Sequence, residues 1–144
     1  IDAGSNLSEI IRSVLNLHSD TIFNLWRIGL NKMQMRGKLA WSVITHEELV
    51  SIDYTDPSSA GLVNFLSNID TMGVGVVLFE LSDGAVRVGF RSRPPYDVAA
   101  IALSFGGGGH KLASGCTIKG PLKAAEKRVI GATLAAIEAT DQGS

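Results

Sequence analysis

The sequence predicts an α/β fold, with a mixed sheet of about four or five strands flanked by helices. Segments whose apolar residues recur every three or four positions alternate with segments rich in β-forming residues along the chain. The 144 residues amount to one domain, and a hydrophobic fraction of 45% is ample for a core. No apolar run reaches the roughly 18 residues that a membrane-spanning helix requires, so we expect no membrane attachment.

Helical periodicity predicts two helices within residues 1–36. Apolar residues between Leu7 and Leu15 indicate the first, and a second apolar stripe ends near Arg36-Gly37. That stripe consists of Ile22, Phe23, Trp26, Leu30 and Met33. The aromatic residues expected in the core are Trp26, Trp41 and Phe65.

Later helices are marked by their caps. We predict a short helix or turn from His46, a helix over 58–67, a helix capped by Asp97, and a last helix with Pro121 at its first position. The tail from Thr140 is predicted to fray.

Strands are predicted over 38–45, 73–81, 85–92 and 113–118, the middle two joined by a hairpin turn. The third strand alternates, so that Arg87, Gly89 and Arg91 face one side. An arginine two residues after a glycine can reach a ligand that packs over the bare backbone. A solvated edge of surface arginines explains the same pattern equally well.

The four glycines 106–109, followed by His110 and Lys111, are the most informative segment. Glycine loses more backbone freedom on folding than any other residue, so such a run indicates positive φ or close approach. Successive bare N–H groups can form a concave nest for anions. The run predicts a phosphate-binding turn, whereas a flexible linker is disfavoured because apolar helical sequence precedes it.

Charge is distributed unevenly between the two halves of the chain. Residues 1–85 hold five Lys/Arg and ten Asp/Glu, whereas 86–128 hold eight Lys/Arg and two Asp/Glu. The basic half contains the glycine run, which favours a small phosphorylated ligand over long duplex DNA.

No metal site or catalytic group is apparent in the sequence. His18 and His46 lack partners at metal-ligand spacing, and the single Cys116 is predicted to be a buried strand thiol, in keeping with a cytoplasmic location. Phosphodiester hydrolysis ordinarily needs metal-activated water. The residues therefore predict phosphate recognition without cleavage.

Phe90-Arg91-Ser92, about fifteen residues before the run from Gly106 to Gly115, resembles the DHHA1 domain. That domain is the C-terminal, substrate-binding half of DHH-family phosphoesterases. The sequence is most similar to the branch of oligoribonucleases and pAp phosphatases, and cyclic-di-AMP phosphodiesterases share the motif. The resemblance covers about residues 35–140.

The resemblance implies which residues bind the substrate phosphate. The side chains of Arg91 and His110 would grip the phosphate, and the backbone of Gly107, Gly108 and Gly109 would contact it. Ser92 also matches a family position, with a less defined role. Gly89 departs from the pattern, because many relatives have Ser there.

The resemblance also implies an organisation into parts. Residues 1–36 would be a linker to, or the tail of, an N-terminal DHH domain, 37–140 the DHHA1 domain, and 141–144 a frayed tail. The metal-binding aspartates and histidines of the family, which hold Mn²⁺, belong to the DHH domain and do not occur in this sequence. The expected partners are a nucleotide or short single-stranded RNA and the DHH domain, with a homodimer left open.

Two other interpretations remain at this stage. Alanyl-tRNA synthetases end in a related domain that is a non-catalytic RNA-binding or dimerisation module, but there Arg rather than His typically follows the glycines. A structural domain with a vestigial site is the third interpretation.

Overall fold

A computed structural model describes residues 19–55 and 61–143. Five helices are present in this part of the chain: α1 (Ser19–Asn31), α2 (His46–Ser51), α3 (Leu62–Ser67), α4 (Val98–Ser104) and α5 (Leu122–Gln142). Six strands form a single sheet: β1 (Gln34–Arg36), β2 (Leu39–Ile44), β3 (Val74–Glu80), β4 (Val86–Ser92), β5 (Gly108–His110) and β6 (Ala113–Ile118). The predicted helix around residues 7–15 lies outside the described residues.

The sheet has the strand order β1-β2-β3-β4-β6-β5 and is mixed. Strands β2 and β3 are parallel, and every other neighbouring pair is antiparallel. The α/β prediction is confirmed. The sheet has more strands than expected because two three-residue strands, β1 and β5, pair along its edges. β1 forms around a turn at Gly37, where φ is +57°, and β5 forms inside the glycine run.

Helices α4 and α5 cover β2, β3, β4 and β6 on one face of the sheet. The core on this face includes Val76, Val88 and Phe90 from the central strands, and Ile101 and Val129 from the two helices. Burying an apolar side chain of this size contributes about 1.5–3 kcal/mol, so this layer holds β4 and β6 firmly in place.

Helices α1, α2 and α3 cover only part of the other face. Their core includes Leu25 and Leu62, which pack against Val77 and Phe79 of β3. Beyond β3, successive residues of β4 alternate between buried and outward-facing, and the outward residues Arg87 and Arg91 are exposed. The surface of β4, β6 and β5 on this side, which we call the open face, is therefore left uncovered by the described helices.

The helix ends predicted at Asp97 and Gly106 form as expected, whereas Pro121 is the N-cap of α5 and not its first residue, because the helix begins at Leu122. The Asp97 carboxylate accepts hydrogen bonds from the backbone N–H groups of Ala99 and Ala100, at 2.9 and 3.2 Å. At α2, Thr45 and Glu48 form a reciprocal capping box. Gly106 follows α4 with φ +84°, as expected of a glycine that ends a helix.

Several details of the helices differ from the prediction. α1 ends at Asn31, because the next residues turn into β1. Trp41 is buried, but Phe23 and Phe65 are 55% and 44% exposed, so the core assignment of Phe65 was wrong. α3 begins at Leu62; residues 58–60 of its predicted range are not described.

The C-terminal helix also runs further than expected. α5 continues to Gln142, past Thr140 where fraying was predicted. Tyr96 donates a hydrogen bond to Asp141 at 2.6 Å, and the Lys38 ammonium lies 3.2 Å from the same carboxylate. These contacts tie the end of α5 to the start of β2 and to the loop after β4. No helix in the described ranges has the length and apolar character to cross a bilayer.

Candidate functional site

A cleft of about 360 Å³ lies on the open face. The side of α3 and the end of β3 form one wall, and the strands β4, β6 and β5 form the floor. Its lining residues include Val63 and Phe79 in the wall and Arg87, Gly89, Arg91, Gly108, Ala113 and Gly115 in the floor. No carboxylate of the described residues lines it. The cleft therefore presents positive charge over bare backbone.

Strand register brings the two predicted phosphate-gripping residues together. Arg91 of β4 pairs with Ala113 of β6, and Ala113 pairs with His110 of β5. Directly paired residues point to the same face of a sheet, and two strand spacings separate Arg91 from His110 by about 10 Å. The residue between them in this row is Ala113, whose side chain is a single methyl group. Arg91 and Ala113 line the cleft, whereas His110 is not one of its lining residues. Both flanking side chains are exposed.

The adjacent row of the sheet contains no side chains at all. Gly89, Gly115 and Gly108 are paired across the three strands, and we call them the glycine row. A Cβ added at Gly89 or at Gly108 would meet no atom within 4 Å. The packing of the protein does not require glycine at these two positions, so their effect is to keep the floor of the cleft open.

The other glycines of the run have reasons within the fold. A Cβ on Gly107 would lie 2.1 Å from the carbonyl oxygen of Gly115, and one on Gly109 would lie 2.6 Å from that of Ala113. Gly109 also has φ +141°. These residues let the chain approach β6 closely. The predicted contacts of Gly107, Gly108 and Gly109 with a phosphate stay predictions, and of the three only Gly108 lines the cleft.

Ser92 is not brought into the cleft. It lies on the helix-covered face and is 8% exposed. Its hydroxyl donates to the carbonyl of Tyr96 at 2.8 Å and lies 3.3 Å from that of Lys111. In this position Ser92 fastens the loop after β4 to the turn that follows His110.

The positive charges of the cleft are not paired with any carboxylate in the described ranges. Neither the Arg87 nor the Arg91 side chain forms a hydrogen bond or ion pair with another described residue. Arg87 lines the same cleft but was not among the predicted site residues. The signal that could have identified it is the alternation of β4, which places Arg87 and Arg91 on one face.

The residues of the described part do not fit a manganese centre. In ranges 19–55 and 61–143 no three His, Cys, Asp or Glu side chains come together in a group that could hold a metal ion. The arrangement can bind and orient an anion through donors and charge.

Cys116 lies behind the floor, on the helix-covered face. Burial raises the pKa of its thiol to about 11, so the thiol stays protonated at neutral pH. We expect an aromatic disulfide reagent at pH 8 to label the native protein about 100-fold more slowly than the unfolded chain. Prompt labelling of the native protein, measured by absorbance of the released thiolate, would show that the thiol is accessible and ionised.

Two curated bacterial proteins are similar to this chain. The probable bifunctional oligoribonuclease and PAP phosphatase NrnA of Streptococcus mutans is 33% identical over 73 residues, or 51% of this chain and 23% of that protein. The bifunctional oligoribonuclease and PAP phosphatase NrnA of Bacillus subtilis is 31% identical over 112 residues, or 69% of this chain and 35% of that protein. The chain thus spans about a quarter to a third of these relatives.

Solved structures share the fold. An exopolyphosphatase-related protein from Bacteroides fragilis superimposes with a TM-score of 0.74 at 26% identity, covering 96% of this chain and 39% of its own. The C-Ala domain of Aquifex aeolicus alanyl-tRNA synthetase gives a TM-score of 0.50 at 13% identity, covering 71% of this chain and 97% of its own; this second likeness is one of fold alone.

The resemblance first seen in the glycine run is confirmed by a family match. Residues 37–139 match the DHHA1 domain, a range close to the predicted 37–140. The match covers well over half of the sequence and includes every residue of the cleft. The chain belongs to the DHHA1 domain family and is related to NrnA-type phosphoesterases.

Proposed function

We propose that this chain is the substrate-binding part of a phosphoesterase that acts on short oligoribonucleotides, pAp or cyclic dinucleotides. The observation that carries the proposal is the row Arg91–Ala113–His110, in which two donors flank a small residue beside a bare floor. The names of the two NrnA relatives support the substrate class.

In this proposal Arg91 and His110 hold one phosphate group from opposite sides. The planar guanidinium donates two parallel N–H bonds to phosphate oxygens, and the imidazole donates a further bond. Because few side chains surround Ala113, the phosphate can closely approach the backbone of the sheet. Ser92 acts indirectly, by fixing the loops at the ends of β4 and β5.

Cleavage requires groups that the described residues do not provide. Mn²⁺ bound in a DHH domain would supply the activated water, with the cleft of this chain presenting the phosphodiester to it. We therefore expect this chain to bind nucleotides and to hydrolyse none.

The proposal is tested by titrating isotope-labelled chain with adenosine 5′-monophosphate and following backbone amide shifts. Shifts centred on Arg91 and on Gly108–His110 are expected, together with no product from a dinucleotide in excess Mn²⁺. Adenosine without phosphate is the control and should leave the chemical shifts of these amides unchanged.

Three results would contradict the proposal. The first is the absence of shifts at millimolar nucleotide, and the second is manganese-dependent hydrolysis by this chain. The third is a clear preference for a folded tRNA over the mononucleotide, which would favour an RNA-binding module instead.

A further inference from the structure

The side chain of Arg87 makes no hydrogen bond or ion pair with a described residue, and it faces the same cleft as Arg91. It lies four residues earlier in β4, on the open face, and is exposed. Its neighbours across the sheet are Phe79 of β3 and Thr117 of β6. No described carboxylate contacts it.

Nearby acidic side chains are occupied elsewhere. Asp83, in the turn before β4, accepts a hydrogen bond from the N–H of Ala85 at 3.0 Å. Glu80 accepts one from the N–H of His46 at 2.9 Å. An uncompensated arginine in a concave site attracts anions from solution. Arg87 is therefore available to a ligand.

The spacing along β4 separates Arg87 from the first phosphate position. Four residues of strand span about 13 Å, and the glycine row crosses the cleft between the two arginines. A phosphate held by Arg91 and His110 lies at the far end of the floor from Arg87. A single phosphate group cannot contact both arginines, whereas an oligonucleotide can place one phosphate at each end of the floor.

We propose that Arg87 is a second phosphate anchor, which makes the cleft prefer an oligonucleotide with several phosphates to a mononucleotide. This inference rests on the proposed function of Arg91 and His110. The two nucleotides between the anchored phosphates lie over the glycine row, where Gly89 and Gly108 present no side chain. The hydroxyl of exposed Thr117, opposite Arg87, is placed to donate to the same second phosphate.

The test compares two ligands, adenosine 5′-monophosphate and the 5′-phosphorylated adenine trinucleotide, on three proteins. These are the wild-type chain, Arg87→Gln and the matched control Arg27→Gln, which removes an exposed arginine of α1 outside the cleft. We expect Arg87→Gln to weaken trinucleotide binding about 5- to 20-fold and mononucleotide binding less than about 2-fold. Arg27→Gln should change neither affinity.

The salt dependence of binding gives a second readout. Each lost phosphate contact lowers the slope of log K against log salt by about 0.7 for a single strand. That reduction should appear for Arg87→Gln with the trinucleotide only. Equal weakening of both ligands would mean that Arg87 contributes only general charge, and unchanged trinucleotide affinity would mean that it makes no contact; either result overturns the inference.

The two proposals fail in different ways. If the mononucleotide binds and Arg91→Ala abolishes that binding while Arg87→Gln has no selective effect, only the second anchor is refuted. If the wild-type chain binds neither ligand, the proposed function fails and the second anchor with it.

Discussion

Replacing Arg91 by alanine is expected to lower the affinity for adenosine 5′-monophosphate about 10- to 100-fold, while the stability of the protein changes little. The loss corresponds to roughly 1.5–3 kcal/mol, the contribution of hydrogen bonds to a charged group. Stability should be retained because the Arg91 side chain is exposed and forms no hydrogen bond or ion pair with a described residue. The measurement is calorimetric titration combined with urea unfolding.

Two companion variants show whether the loss reflects geometry or charge. Arg91→Lys keeps the positive charge but not the planar fork, so an intermediate affinity is expected. Arg93 is only two residues away, but its guanidinium donates to the carbonyl of Met72. Arg93→Ala should therefore lower stability and leave nucleotide affinity nearly unchanged. Wild-type affinity in Arg91→Ala would exclude the row Arg91–Ala113–His110 as the phosphate site.

The parts of the fold that local rules determine were predicted correctly. The Ser82-Asp83-Gly84 turn, the alternation of β4 and the cap at Asp97 all depend on neighbours in sequence, and all are found. The same alternation placed Arg91 on one face. It also implies that Ser92 lies on the opposite face, so the position of Ser92 was predictable from the strand pattern alone.

The features that were missed depend on tertiary contacts. Each of β1 and β5 has three residues and exists because a longer neighbour is available for pairing. Phe65 is exposed because the one face that the short helix α3 buries carries Leu62 and Leu66 instead. The cleft itself exists because helices α1–α3 reach β3 and the near side of β4 but leave β6 and β5 uncovered, a limit that no local pattern in the sequence records.

Substitutions at two neighbouring glycines of the run should separate an effect on stability from an effect on nucleotide binding. Gly107→Ala is expected to lower the free energy of unfolding by about 2–4 kcal/mol, because its methyl group would overlap atoms of a packed neighbour. The clash involves the Gly115 carbonyl oxygen at 2.1 Å and the Cys116 Cβ at 2.6 Å, neither of which is the end of a flexible side chain. Urea unfolding followed by tryptophan fluorescence measures the loss.

Gly108→Ala, one residue further, should have the opposite profile. Its methyl group would meet no protein atom within 4 Å, so stability should stay within about 1 kcal/mol of wild type and can rise, because alanine restricts the unfolded chain. The same methyl group would stand on the floor of the cleft, where the proposed ligand lies, and nucleotide affinity should fall. Equal destabilisation by both variants would contradict the placement of Gly108 on the open face. Unchanged nucleotide binding in a stable Gly108→Ala variant would show that the ligand does not reach the glycine row, because the added carbon has nothing else to displace.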